Sequence, residues 1–276
     1  MMAITNFGPF RLPGFRTASP VQQSFMGWVG AMLLLISVAW ADSAPEQTAS
    51  AQAEHKFFEE RARFNKNSND PEVAWQFARA CFDWADLASS NAQRAEIAVE
   101  GIDAARHAIE RDPRLAAGHY YLGLNLGQLA RTKKIGALRL VDEMEAEFKA
   151  AIALDPKFDY AGPHRSLGLL YADAPGWPTS IGSHSKARFH LRTAVDLSPD
   201  YPDNRLSLLE TYLKWGDKTA VESQLAATEE AFQQARKNFA GEKWSASWQD
   251  WDRRWQKIKA KATEPVRKLE SPRQRR

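Results

Sequence analysis

The sequence predicts an all-α chain, an α-solenoid of about four antiparallel helix pairs closed by a C-terminal capping helix, and three observations predict it. Three segments end alike: Ala108-Ile109-Glu110-Arg111-Asp112-Pro113, Ala151-Ile152-Ala153-Leu154-Asp155-Pro156 and Ala194-Val195-Asp196-Leu197-Ser198-Pro199, with the prolines 43 residues apart twice. No stretch carries the alternating β-branched and aromatic pattern of a strand. Trp244, Trp248, Trp251 and Trp255 recur at spacings of four, three and four, which places them in one stripe along a helix. A fixed period of this length marks units that bury their apolar faces by stacking on one another.

Composition bounds the rest. The 276 residues are 44% hydrophobic and 26% charged, with mean hydropathy −0.50, which excludes a polytopic membrane protein, a collagen-like fibre and a wholly disordered chain. The single cysteine, Cys81, excludes an internal disulfide and any CxxC metal site.

Residues 1–41 read as a secretory signal: Arg11 and Arg16 without an acidic residue before position 25, an apolar run from Phe25 to Ile36, and the small-residue exit Ala39-Trp40-Ala41. The same run, short for a spanning helix, also reads as an uncleaved membrane anchor, so the chain is expected to be periplasmic or at the cell envelope, or else tethered through residues 25–41. No cysteine follows the run to carry a lipid. Residues 42–69 form a helical lead-in.

The repeat domain spans 70–241. In each pair, the Ala-containing segment ends the second helix, and its proline, which cannot continue the i to i−4 ladder, turns the chain. The segments His119-Tyr120-Tyr121-Leu122-Gly123-Leu124 and His164-Arg165-Ser166-Leu167-Gly168-Leu169 then open the next pair, with a glycine for close approach of a neighbouring helix. A weaker first pair runs from Pro71 to Pro113 with its turn near Ser89-Ser90-Asn91, and a fourth starts at Pro202 and turns at Gly216-Asp217. Residues 242–263 are the Trp-striped helix, read either as a cap over the end of the solenoid or as a self-association surface, which leaves a homo-oligomer open. Ten basic residues against two acidic ones between 253 and 276 make a basic end, with 264–276 a disordered tail that is either simply solvated or attracted to anionic lipid or polymer.

These residues resemble the tetratricopeptide repeat, with its large residue, Leu-Gly, aromatic, Ala and Pro at fixed offsets, although the period here exceeds the usual one, the excess lying in 131–141 and 174–183. The strings ARACFDWADL, YYLGLNLGQLA, GPHRSLGLLYADAPGWP and SKARFHLRTAVDLSPDYPDNRLSLLETYLKWGD are similar to the TatT family of exported proteins associated with TRAP-type transporters, and to the repeat domain of the regulator of microtubule dynamics family. The resemblance implies that the first helix of each pair lines a concave face, carrying Tyr120, Tyr121, Leu124, Asn125, Gln128, Arg165, Leu169, Asp173, Ser207 and Glu210. Trp177, in the Pro-Gly loop 174–183, is either a recognition residue, forming one surface with Arg165 and Tyr120, or a lid packed on the next pair.

Catalytic patterns are missing: no G-x-S-x-G, no H-E-x-x-H and no phosphate loop. The six histidines avoid i, i+4 metal spacing, Cys81 lies among small and aromatic core positions, and Glu143, Glu145 and Glu147 alternate around a helix. No cofactor and no metal are expected, and no nucleic-acid motif accompanies the basic end. Two functions remain open: an exported, non-enzymatic scaffold for a protein partner or apolar solute, accessory to a TRAP-type transporter, and a membrane-anchored envelope-assembly adaptor with no small ligand.

Overall fold

A computed structural model of the chain describes residues 49–133 and 136–263. The signal or anchor at 1–41, the start of the lead-in and the tail 264–276 lie outside the described residues. Among the described residues ten α-helices follow one another: α1 (Ala49–Lys66), α2 (Pro71–Asp86), α3 (Asn91–Arg111), α4 (Ala116–Ala130), α5 (Ala137–Leu154), α6 (Phe158–Asp173), α7 (His184–Leu197), α8 (Pro202–Trp215), α9 (Lys218–Asn238) and, after a 3₁₀ turn at Glu242–Trp244, α10 (Ser245–Thr263). Among the described residues there is no strand, only an isolated bridge between Gly176 and Gly182. The chain is an all-α solenoid.

Local chemistry sets the boundaries. Asp70 caps α2, its side chain accepting from the Glu72 amide at 2.9 Å, and Pro71 occupies the first turn, where no N–H is needed. Ser90 caps α3 through the Gln93 amide at 3.1 Å, and Asp217 caps α9 through the Ala220 amide at 3.1 Å. The second helices α3, α5 and α7 each stop two residues before Pro113, Pro156 and Pro199, as the proline argument requires. Gly216, at φ 74°, ends α8 in the left-handed conformation that glycine adopts without penalty.

The helices pair as α2/α3, α4/α5, α6/α7 and α8/α9, and the first helices also touch in sequence, α2 on α4, α4 on α6 and α6 on α8, so they form one continuous wall. Each Leu-Gly step is a close crossing: a Cβ on Gly123 would lie 2.6 Å from the Phe148 ring, and one on Gly168 2.7 Å from Leu191 Cγ. Phe148 and Leu191 are fully buried there.

Two apolar clusters result. One runs from Phe57 on α1 to Ala187 on α7, the other from Leu191 on α7 to Ile258 on α10, and Leu169 and Trp215 pack against both. The Trp stripe belongs to the second cluster. Trp251 and Trp255 are buried against α8 and α9, Trp248 donates its indole N–H to the Phe239 carbonyl at 2.7 Å, and Trp255 donates to Glu229 at 2.9 Å. The stripe is turned inward, Trp251 and Trp255 fully and Trp244 and Trp248 in part.

Candidate functional site

The first helices, the turn that opens α6 and the capping helix enclose a concave pocket of about 360 Å³. α2 contributes Arg79, Phe82 and Asp83, and α4 contributes Tyr120, Tyr121 and Leu124. Asp159, Tyr160, Arg165 and Ser166 come from the α6 turn and helix, Tyr201 and Asp203 from the start of α8, and Trp244, Ser247, Asp250 and Trp251 from the capping segment.

The α6 turn is the unusual part of this wall. Asp159, Tyr160 and Ala161 have φ of 47°, 56° and 62°, one left-handed turn ahead of Gly162 and Pro163. Such a conformation costs an L-residue about 1–2 kcal/mol, so the surroundings must hold it. Tyr160 stacks on Tyr201 with centroids 4.4 Å apart, its carbonyl accepts from Asn204 Nδ2 at 3.0 Å, and the Asp159 carboxylate accepts from the Tyr120 hydroxyl at 3.2 Å. The turn places one carboxylate and one half-open phenol ring at the mouth of the pocket.

Charge in the pocket falls into two groups. At the α10 wall, Arg254 engages Glu210 with both Nε and Nη2 at 3.0 Å and reaches Asp203 and Asp250 as well. Burial alone would lower the Arg254 pKa, but these three carboxylates outweigh it and raise it. At the opposite wall pairing is loose: Arg79 Nε is 3.8 Å from Asp83, and Arg165 Nη2 is 3.7 Å from Asp159. Arg165, only 4% exposed, gives Nη1 to Asn204 Oδ1 at 2.8 Å and lies over the Tyr201 ring at 5.3 Å. The Asp83 side chain keeps 45% of its surface open although protein crowds it, the combination a concave wall produces. Burial pushes its carboxyl up to about 6; Arg79 pulls the other way, and Asp159 and Asp86 add to the rise. Burial likewise raises the Tyr120 and Tyr121 phenols.

Four of the residues expected on the concave face line this pocket: Tyr120, Tyr121, Leu124 and Arg165. The others do not. Asn125 is fully buried between helices, donating to the Ala78 carbonyl at 2.9 Å and to Tyr121 O at 2.8 Å. Gln128 is buried too, in a network with Asp86 and Arg131. Leu169 joins the two apolar clusters, Asp173 accepts from Lys214 at 2.5 Å, Ser207 is buried with its carbonyl accepting from Thr211, and Glu210 is held by Arg254. A helical register marks a face, and at these positions that face meets another helix instead of the groove.

Trp177 is neither lid nor neighbour of the pocket. It is 89% exposed, in the loop beyond the far end of α6, about 12 Å of helix from Arg165 at 1.5 Å per residue. The structure joins Arg165 and Tyr120 and leaves Trp177 apart.

Register reasoning misses Arg79, Phe82 and Asp83 because the first pair matches the repeat poorly, and Trp244, Asp250 and Trp251 because a cap reads only as cover for an end. The α6 turn did have a signal: Gly123 follows Pro113 by ten residues, but Gly168 follows Pro156 by twelve. The two extra residues are accommodated at the left-handed turn.

Elsewhere, His164 and His190 place their Nδ1 atoms 3.0 Å apart, and burial lowers both, His190 to about 4. His119 bonds Glu147 at 2.6 Å, and that contact raises its pKa. Cys81 is buried, which raises its thiol and makes it unreactive. Among the described residues no group of three His, Cys, Asp or Glu side chains is placed to hold a metal ion, and no helix is long and apolar enough to cross a membrane.

Known proteins place this architecture. Residues 38–168 match the family model described as Regulator of microtubule dynamics protein 1-3. Regulator of microtubule dynamics protein 1 of Bos taurus is 27% identical over 173 residues, 55% of this chain and 53% of the relative; that of Mus musculus is 28% identical over 172 residues, 55% of each. The chain thus spans about half the length of the curated relatives it matches. Among solved structures, a thermophilic TPR protein of Thermus thermophilus superposes with TM-score 0.55 at 19% identity, over 76% of this chain and 91% of that one, a likeness of fold. These matches speak for the microtubule-regulator likeness and do not bear on the TatT one. The chain thus has the helical-repeat fold of a TPR protein and is similar, over residues 38–168, to the regulators of microtubule dynamics.

Proposed function

We propose that the chain is a non-enzymatic scaffold whose concave pocket takes a segment of a protein partner, and that it works at the cell envelope, delivered or tethered by residues 1–41. The observation that carries the first part is the pocket itself: aromatic faces and half-open polar groups from four first helices and the cap meet in one concavity, and such side chains dominate protein recognition. Its lining argues against the apolar solute and hence against a transporter accessory that carries one, since two loosely paired aspartates would be desolvated beneath it. The adaptor reading is therefore the better of the two. The location rests on the charge and apolar pattern of residues 1–41, and nothing in the pocket requires a second copy of the chain.

A photo-crosslinking residue at Tyr160 in the full chain tests the binding reading, with Phe189, exposed outside the groove, as control. A discrete protein adduct at Tyr160 and none at Phe189 is expected. Equal labelling at both positions, or none at Tyr160, overturns the groove as the binding surface. Fractionation of cells expressing the full chain, with sequencing of its N-terminus, tests the location: recovery in the soluble cytosol with residues 1–41 intact defeats it.

A further inference from the structure

The pocket is polar where a peptide groove would usually be satisfied or neutral, and its unmet requirements are specific. Asp203 and Asp250 have Arg254 at hydrogen-bonding distance. Asp83 and Asp159 do not have an arginine so placed: their nearest guanidinium nitrogens stand at 3.8 and 3.7 Å, beyond a hydrogen bond. Ser166 also lines the pocket, 1% exposed, with its hydroxyl beside that of Tyr120. Around these acceptors stand aromatic rings, Tyr121 and Phe82, both buried, on one side and Tyr160, 40% exposed, on the other.

We propose that this pocket receives a cationic side chain, a guanidinium or ammonium presented by a protein segment, with Asp83 and Asp159 as its counter-charges and the aromatic wall as its stacking face. The proposal rests on the groove reading above. A guanidinium supplies several N–H donors at hydrogen-bonding distance for the two carboxylates, and a flat weakly hydrated face for an aromatic ring. The existing cations do not already fill that role. Arg165 is committed to Asn204 and Tyr201 and is closed to solvent, so it belongs to the wall. Arg79, 3.8 Å from Asp83 and with 55% of its side chain exposed, is a partly solvated partner beside which a more closely seated cation can bind the carboxylates. An acidic segment would face the two aspartates, and an apolar one would bury them without compensation. The lining carries four carboxylates, Asp83, Asp159, Asp203 and Asp250, against two guanidinium groups, Arg79 and Arg165, and Arg254, which serves Asp203 and Asp250, is shared with Glu210, so the balance of the pocket is acidic.

The test is titration of the full chain with three blocked eight-residue peptides of otherwise identical Ala-Ser sequence, carrying a central Arg, Leu or Glu, and with agmatine as a free guanidinium. Binding is read from the indole N–H resonance of Trp244. The Arg peptide is expected to bind at least about tenfold more tightly than the Leu peptide, and the Glu peptide more weakly still. Asp83→Asn and Asp159→Asn should each weaken the Arg peptide by about tenfold or more while circular dichroism shows an unchanged fold. Tighter binding of the Leu or Glu peptide overturns the cation site and leaves the groove reading standing; no binding of any peptide overturns both. Agmatine binding as tightly as the Arg peptide overturns the protein segment as the source. Full Arg-peptide affinity in folded Asp83→Asn removes Asp83 from the site.

Discussion

Asp83 shows how a single residue can work against the stability of its fold. Burial, with the Asp159 carboxylate from the α6 turn and Asp86 one turn on, outweighs Arg79 on the same helix and raises the Asp83 carboxyl to about 6, and Tyr121 from α4 also faces it. A carboxyl raised on folding contributes stability that is fully present below the ordinary aspartate range, near 4, and lost as pH rises through about 6. At neutral pH the charged form is a net cost. Asp83→Asn should therefore raise the melting temperature at pH 7.5 and leave it nearly unchanged near pH 4; a lower melting temperature at pH 7.5 would mean that the Arg79 pair outweighs the burial. Trp177 is the opposite case. Its ring touches solvent rather than core, so Trp177→Ala should change stability by no more than about 0.5 kcal/mol, measured by urea denaturation, and a loss of several kcal/mol would require contacts that an 89% exposed side chain does not make.

Among the elements, the glycines of the Leu-Gly steps are the ones whose chemistry is fixed by a neighbour. Gly168 on α6 lies where α7 comes closest, and an added Cβ would meet Leu191 Cγ at 2.7 Å and the Leu191 backbone nitrogen at 3.0 Å. The side chain can turn, but the backbone cannot move without its helix. Gly168→Ala should cost about 1–3 kcal/mol, the usual range for overpacking, in the midpoint of chemical denaturation. The left-handed turn of α6 obeys a different rule, since nothing in Asp159, Tyr160 or Ala161 prefers positive φ; the Tyr160–Tyr201 stack and the Asn204 bond to the Tyr160 carbonyl hold it there.

Across the whole molecule, the cap couples the end of the solenoid to its groove. Trp251 is fully buried in the second apolar cluster, with Tyr201 and Phe239 edge-on at 5.6 and 6.1 Å, and it also lines the pocket. Trp251→Ala should therefore lower stability by about 3–5 kcal/mol and, in the protein that remains folded, also weaken any ligand of the groove; destabilisation with groove affinity untouched would separate the two roles. Stability in a solenoid is the sum of stacked neighbours. Here Leu169 and Trp215 carry the stacking from the first cluster to the second.

The helical period, the terminal prolines and the capping residues are local properties, and they sufficed for the four helix pairs, their turns and the capping helix. They also marked the faces on which Tyr120, Tyr121, Leu124 and Arg165 meet the groove. A period cannot say which polar residues of different helices approach within hydrogen-bonding distance, because that depends on crossing angles set by side chains such as Phe148 and Leu191. So Asn125 and Gln128, equally plausible by register, became interhelical bonds, while Arg79 and Asp83 from the weakest repeat became a wall of the pocket. The interval of twelve residues from Pro156 to Gly168 announced an insertion before α6. Only the packing of Tyr160 on Tyr201 decided that it would be a left-handed turn aimed at the groove, since non-local contacts had to outweigh the backbone preference of three ordinary residues.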